Sequence, residues 1–309
     1  CLLLTVTCVL LTALVPLLSL YNFGEDGMLA RDSGLAFHFI IGLFISVQAA
    51  SSALSAELRR GTASVVLTKP VRRELFFLSK YAGICVVVAG FSVCAALATL
   101  LSERVAEKFC FSEEMTGYVT DWQTGILLAL APAAAFLGAG YLNYRWRRPF
   151  GSTAFGLLIA ALGIVLFTAG FFDRMGGWAP FNLDVQWRIV PASVLVTLAL
   201  FVLSAISLAF SARCTAVPTL AATAVIFLLG LMSDYLFGRH SAAMHSAALA
   251  HALLPNWQSF WLTDALRRGG SIPWDYVLHA AGYAAAYTAA VLAAGLLAFG
   301  SVEMKERTP

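Results

Sequence analysis

Charge is scarce in this chain. Of its 309 residues only 12% are Asp, Glu, Lys or Arg and 60% are hydrophobic, whereas an ordinary soluble domain is about one quarter charged. That shortage excludes water as the main solvent. Motifs of soluble chemistry are missing as well. The pattern G-x-x-x-x-G-K-[ST] does not occur, and no Gly-rich turn joins a strand to a helix, so the chain has no phosphate cradle of its own. There is no H-E-x-x-H, and His240, His245 and His251 are five and six residues apart, which does not put them on one helical face for a metal. No G-x-S-x-G elbow presents a nucleophile. No basic run is long enough for nucleic acid. The six cysteines form no C-x-x-C pair and no metal-ligand spacing, and they read as packing residues, with Cys110 alone in a loop. The chain is therefore expected to hold no metal, no cofactor and no catalytic residues.

What is present is apolar sequence in long runs. A helix needs about 20 apolar residues to cross ~30 Å of hydrocarbon, and helices satisfy their backbone groups within one segment. Eight stretches meet that need, approximately Cys1 to Leu20, Gly34 to Leu54, Tyr81 to Leu101, Trp122 to Asn143, Gly151 to Phe172, Val190 to Phe210, Val217 to Phe237 and Tyr276 to Gly300. The expected fold is an all-α polytopic transmembrane helix bundle of about eight spans, a single membrane domain over 1–309. Six spans result if Val190 to Phe210 and its neighbour form a re-entrant pair. The chain opens at Cys1 directly in an apolar run, without an initiator Met or a basic leader, so a cytoplasmic N-terminus is expected to precede it.

The charges that remain are unevenly placed. With the first span entering from the cytoplasm, the inner segments hold Arg59, Arg60, Lys69, Arg72, Arg73, Lys80, Arg145, Arg147, Arg148, Arg213, Lys305 and Arg307, twelve of the twenty basic residues. They hold only four carboxylates, Glu57, Glu74, Glu303 and Glu306. The positive-inside bias selects this orientation, with both termini cytoplasmic. Trp122, Trp178, Trp187, Trp257, Trp261 and Trp274 then fall near outer ends, where an amphipathic ring suits the headgroup zone. Ionisable residues in mid-span are almost absent. His38, Asp234 and Arg213 are expected near span ends, in reach of water. Gln48 and Asn143 are expected to bond between helices. This scarcity argues against an ion-coupled carrier and against a charged channel filter.

The most informative segment is the cytoplasmic elbow 55–80, within SSALSAELRRGTASVVLTKPVRRELFFLSK from Ser51. Glu57 to Arg60 prolong the second helix, Gly61 permits a stop and Thr62 can cap a second, short helix. Pro70 breaks the chain again and can start a helix at VRRELFFLSK, expected to lie along the inner face with Leu75, Phe76 and Leu78 apolar. In order, Glu57, Gly61, Thr62, Leu67, Pro70, Val71, Arg73 and Lys80 follow E-x-x-x-G-T-x-x-x-L-x-x-P-V-x-R with a lysine further on, with one residue more between Thr62 and Leu67 than in that pattern. This resembles the type-2 ATP-binding-cassette (ABC) exporter permeases. A second stretch, LLPNWQSFWLTDAL before the final span, is similar to the segment that precedes the last helix in that family.

The resemblance implies a bacterial cytoplasmic-membrane permease subunit, itself not an enzyme. A separate cytoplasmic P-loop ATPase, which binds the ATP and Mg²⁺, would dock on the elbow. The implied coupling residues are Glu57, Arg59, Arg60, Gly61, Thr62, Lys69, Pro70, Val71, Arg72, Arg73, Glu74 and Lys80. It also implies a second permease half, identical or similar, and an exterior interfacial segment, 238–275, capping the pathway through Pro255, Trp257, Phe260, Trp261 and Asp264. The other reading is an ATP-independent secondary carrier or a polytopic scaffold.

Overall fold

The computed structural model describes residues 1–18, 25–55, 73–111, 116–174, 177–181, 184–233, 235 and 254–300. Among them run eight apolar helices: α1 (Leu2–Leu18), α2 (Asp26–Ala50, continued by a π-helical turn Ser51–Ser55), α3 (Arg73–Val105), α4 (Trp122–Trp146), α5 (Phe150–Ala169), α6 (Ile189–Ser211), α7 (Ala216–Leu231) and α8 (Trp274–Gly300). Six of them are long and apolar enough to cross a membrane. Their outward faces carry large apolar side chains, among them Val86, Leu137, Leu278 and Leu297, each more than 70% exposed. Such faces are stable against hydrocarbon and not against water. The protein is a membrane-embedded helix bundle.

Two expectations are corrected, and one element is new. In the six-span alternative Val190 to Phe210 and its neighbour form the re-entrant pair, yet α6 is a full helix of 23 residues. The shorter ones are α1, with 17 residues, and α7, with 16. At 1.5 Å per residue each spans roughly 25 Å, short of the ~30 Å core. The helix expected to start after Pro70 and lie along the inner face is instead the first turns of α3, which runs unbroken for 33 residues. That is about 50 Å of rod, well beyond the hydrocarbon thickness. Finally, the stretch between α3 and α4 contains a small antiparallel hairpin, β1 (Lys108–Phe111) with β2 (Thr116–Val119), in register Phe109 to Tyr118.

The chain forms two compact units. The first contains 1–41, 90–193 and 263–272. Here α4 and α5 make a tight antiparallel hairpin. Arg147 ends α4 in the left-handed region at φ 52°, donating its N–H to Asn143 O, and Pro149 opens α5. The Asn143 side chain, expected to bond across helices, donates to Arg148 O at 2.6 Å and closes this turn instead. Small residues bring α2 and α3 together, since a Cβ on Gly34 would lie 2.6 Å from Thr99 Oγ1. Ser102 of α3 donates to Thr12 O of α1 at 2.7 Å.

The ends of these helices are fastened by charge. Arg104, in the last turn of α3 and 1% exposed, donates from Nε to Asp121 Oδ2 at 3.0 Å and from Nη2 to Phe172 O beyond α5. Asp121 is the N-cap of α4, accepting from Thr124 N–H at 3.0 Å and from Thr124 Oγ1–H at 2.7 Å. Arg174 donates to Ala106 O at 2.9 Å. One guanidinium, that of Arg104, thus ties the end of α3, the start of α4 and the chain after α5 through charge-assisted bonds.

The second unit contains 42–89, 194–262 and 273–309. Its helices meet through hydroxyls and rings. Ser204 of α6 donates to Ser46 Oγ of α2 at 3.0 Å, Ser207 and Thr223 are 3.3 Å apart between α6 and α7, and Tyr81 donates to Phe201 O at 3.2 Å. Such interhelical bonds contribute about 1 kcal/mol each.

Removing one partner of a buried ion pair strands the other, at a cost of about 3–5 kcal/mol. Arg104→Ala and Asp121→Ala should each lower the melting temperature of the purified protein in detergent steeply. The control substitution Arg73→Lys, away from the clamp, should leave it unchanged. Melting of Asp121→Ala at the wild-type temperature would show that the pair holds nothing together.

Candidate functional site

Of the expected coupling residues, Glu57, Arg59, Arg60, Gly61, Thr62, Lys69, Pro70, Val71 and Arg72 lie outside the described residues. Arg73, Glu74 and Lys80 occupy the first turns of α3, where Arg73 and Glu74 are exposed. Apolar side chains lie on both faces of the helix at this end. Leu75 and Leu78 face outward, while Phe76 and Phe77 are buried against Phe299 of α8, with ring centroids 6.3 and 5.8 Å apart. Lys80 Nζ stands 5.1 Å over the Phe76 ring, a cation–π contact that holds the lysine stem along the helix. A Cβ on Gly295 would come within 2.9 Å of Phe77 Cζ, so glycine in α8 is what lets Phe77 seat.

The segment before α8 is the second expected site. Pro255, Trp257, Phe260 and Trp261 belong to the second unit, and Asp264 to the first, where it pairs with Arg267 at 3.3 Å. Trp257 is not the interfacial ring that its residue type suggests. It is 0% exposed and is the anchor of a 3₁₀ turn, Trp257–Phe260, capped by Asn256, whose Oδ1 accepts from Gln258 N–H at 2.9 Å. The anchor sits on α7 because of Gly230: a Cβ there would collide with both Pro255 O and Trp257 Nε1. Aromatic rings touch in succession on either side of it, Phe227 to Trp257 at 6.0 Å, Trp257 to Phe260 at 6.3 Å, Phe260 to Tyr283 at 5.9 Å and Tyr283 to Tyr287 at 6.2 Å. Two hydrogen bonds lock the turn to α8, from Asn256 N–H to Tyr283 Oη at 3.1 Å and from Tyr276 Oη–H to Ser259 O at 2.8 Å.

Tyr287 also borders an apolar cavity of about 610 Å³, walled by α6, α7 and α8 through residues such as Phe210, Ile226, Val291 and Gly295, and by Leu254 from the segment before the Trp257 turn. Among the described residues Arg213 is its one charged lining residue, and its Nη2 donates to Ala298 O at 3.4 Å. The size is that of a small-molecule or acyl-chain site. Sequence reasoning reads the small residues of α8 as packing signals and does not find this cavity, because α8 is distant in sequence from the α6–α7 pair that completes its wall.

Other polar residues depart from expectation. His38 does not reach water: it is 0% exposed, edge-on to Phe91 at 5.5 Å, and neither ring nitrogen has a hydrogen-bond partner among the described residues. Gln48 is exposed on α2. Asp234 lies outside the described residues. Cys8 and Cys94 are buried as expected, whereas Cys1 is exposed. Beyond the end of α3, burial pulls Lys108 below the ordinary lysine range, and Glu103, 2.6 Å away, acts in the opposite direction.

Gly230→Ala forces a methyl into Pro255 O and the Trp257 ring, an overpacking that costs about 1–3 kcal/mol. Amides of residues 254–262 should exchange about tenfold faster or more in hydrogen-exchange mass spectrometry, with the α4–α5 hairpin unchanged. Wild-type protection in 254–262 would mean that the glycine is not what seats the cap. No protein-family model, curated protein or solved structure matches this chain.

Proposed function

We propose that this chain is the membrane-spanning permease subunit of an ABC transporter, an exporter, driven by a separate cytoplasmic ATPase that docks on 55–80. The observation that carries the reading is the ordered set Glu57, Gly61, Thr62, Leu67, Pro70, Val71, Arg73 and Lys80 in the long connection between two spans. A basic connection alone would only fix orientation. The order of the acidic residue, the Gly-Thr stop, the Pro-Val restart and the arginine, with the spacing kept within E-x-x-x-G-T and within L-x-x-P-V-x-R, is what points to a docking surface.

The mechanics of the described part suit that role. A force applied at Arg73 to Lys80 acts on the end of an unbroken helix of 33 residues, which has no proline or gap at which to hinge. Phe76 and Phe77 pass the same displacement to α8 through Phe299. Close-packed aromatic contacts transmit motion because they do not deform continuously. In this reading ATP and Mg²⁺ belong to the ATPase, and a second permease half completes the pathway. The pair sits in a bacterial cytoplasmic membrane with both termini inside. The apolar cavity beneath the Trp257 turn would form part of the wall on the cargo side.

The chain, tagged and purified from its native membrane in mild detergent, should bring with it a soluble P-loop ATPase. Glu57→Ala and Arg73→Ala should insert normally and retain less than about a tenth of that ATPase, since each removes a charge-assisted contact. Wild-type recovery of the ATPase by both variants removes those residues from the interface, and vesicle transport by this chain without any ATPase ends the proposal.

A further inference from the structure

The first unit holds a second cavity, polar and unrelated to the elbow. It encloses about 370 Å³, at the small end of the range for small-molecule sites. Its walls come from the start of α2, the end of α3, strand β1, the start of α6 and the turn after Thr263. Four cations line it, Arg31, Lys108, Arg188 and Arg267, against two carboxylates, Glu25 and Glu103.

Most of these charges are already matched. Lys108 holds Glu103 Oε1 at 2.6 Å, Arg31 Nε meets Asp32 at 2.9 Å and Arg267 meets Asp264 at 3.3 Å. Arg188 is different. Among the described residues it makes no ion pair and is held by neutral acceptors alone, Gln186 Oε1 at 2.8 Å and Gly269 O. Arg31 is positioned in the same manner, its Nη1 donating to Leu266 O at 3.1 Å. Two carbonyls of one turn therefore aim two guanidinium groups. Gly269 makes this geometry accessible: it adopts φ +80°, and a Cβ on it would stand 3.3 Å from Arg188 Nη1.

Two polar atoms in these walls are buried with no hydrogen-bond partner among the described residues, Arg31 Nη2 and Glu103 Oε2. Glu103 is itself only 6% exposed. One atom is a cationic donor and the other an anionic acceptor. Buried charged groups normally find partners, because an unmade bond costs the full desolvation of the group. A simple anion would satisfy Arg31 and repel Glu103. A simple cation would satisfy Glu103 and leave Arg188 uncompensated.

We propose that this recess binds a small zwitterion, with an oxyanion received by Arg31 and Arg188 and an ammonium received by Glu103. That chemistry has two sources at a membrane, the phosphoethanolamine headgroup of a lipid and a free amino acid. The proposal does not rest on the ATPase-coupled reading and is tested separately from it.

The test uses the full chain purified in detergent, titrated in a thermal-shift assay with O-phosphoethanolamine, with glycine and with inorganic phosphate. Native mass spectrometry in parallel compares retention of phosphatidylethanolamine and phosphatidylglycerol. Stabilisation by O-phosphoethanolamine with preferential retention of phosphatidylethanolamine assigns the lipid headgroup. Stabilisation by glycine without lipid preference assigns a free amino acid. Either result upholds the zwitterion site. Arg188→Gln, at an exposed position, should weaken the responding probe about tenfold, the worth of one charge-assisted bond, and Glu103→Gln should act in the same direction. The proposal is overturned by no response to either zwitterion, by an equal response to inorganic phosphate, or by an undiminished response in Arg188→Gln.

Discussion

The buried guanidinium of Arg104 is the interaction on which the first unit depends. Hydrocarbon forces each span to satisfy its own backbone, so a helix arrives at the bilayer edge with its last carbonyls and its polar connections unprovided for. In this protein one side chain serves several of those needs. Arg104 neutralises the N-cap of α4, Asp121, and binds the carbonyl of Phe172, while Asp121 caps the first turn of its own helix through Thr124. A buried pair of this kind adds little net energy over an apolar substitute. Its effect is on register: it permits one arrangement of the ends of α3, α4 and α5 and leaves a stranded charge in any other.

The consequence spreads to everything assembled at those ends. The hairpin of β1 and β2 starts three residues after Val105, and Lys108 on it reaches back to Glu103. The polar recess takes its walls from the same helix ends. In the second unit rings and hydroxyls replace charge, with Phe299 received by Phe76 and Phe77 and Trp257 received by Gly230 of α7. Small residues recur where large ones must approach, at Gly34, Gly230 and Gly295, which is how membrane helices come close without a hydrophobic driving force between them.

The architecture is legible in the sequence because its cause is composition. Runs of about 20 apolar residues leave the chain few alternatives to spanning helices, and each of the eight expected stretches contains a helix. Boundaries are less legible, since nothing in VRRELFFLSK marks where a surface helix would end and α3 begin, and the chain makes one helix of both. The tertiary sites are not legible. Arg104 and Asp121 fall between the expected spans Tyr81 to Leu101 and Trp122 to Asn143, and pairing across 17 positions leaves no periodic trace. The place of His38 in its run suggests access to water, and its burial against Phe91 depends on a neighbouring helix. Residue type suggests the headgroup zone for Trp257, and Gly230, the residue that buries it, belongs to another helix. The elbow motif is legible in order and spacing, and most of it lies outside the described residues.

All of this requires α3 and α4 to cross the bilayer in opposite directions, with the clamp at one surface and the α4–α5 turn at the other. The single substitutions Glu107→Cys and Arg148→Cys, at two exposed positions and made after the native cysteines are replaced, report this in sealed inverted and right-side-out vesicles. With a membrane-impermeant maleimide, the two positions should be labelled from opposite sides. Labelling of both from the same side would contradict that crossing.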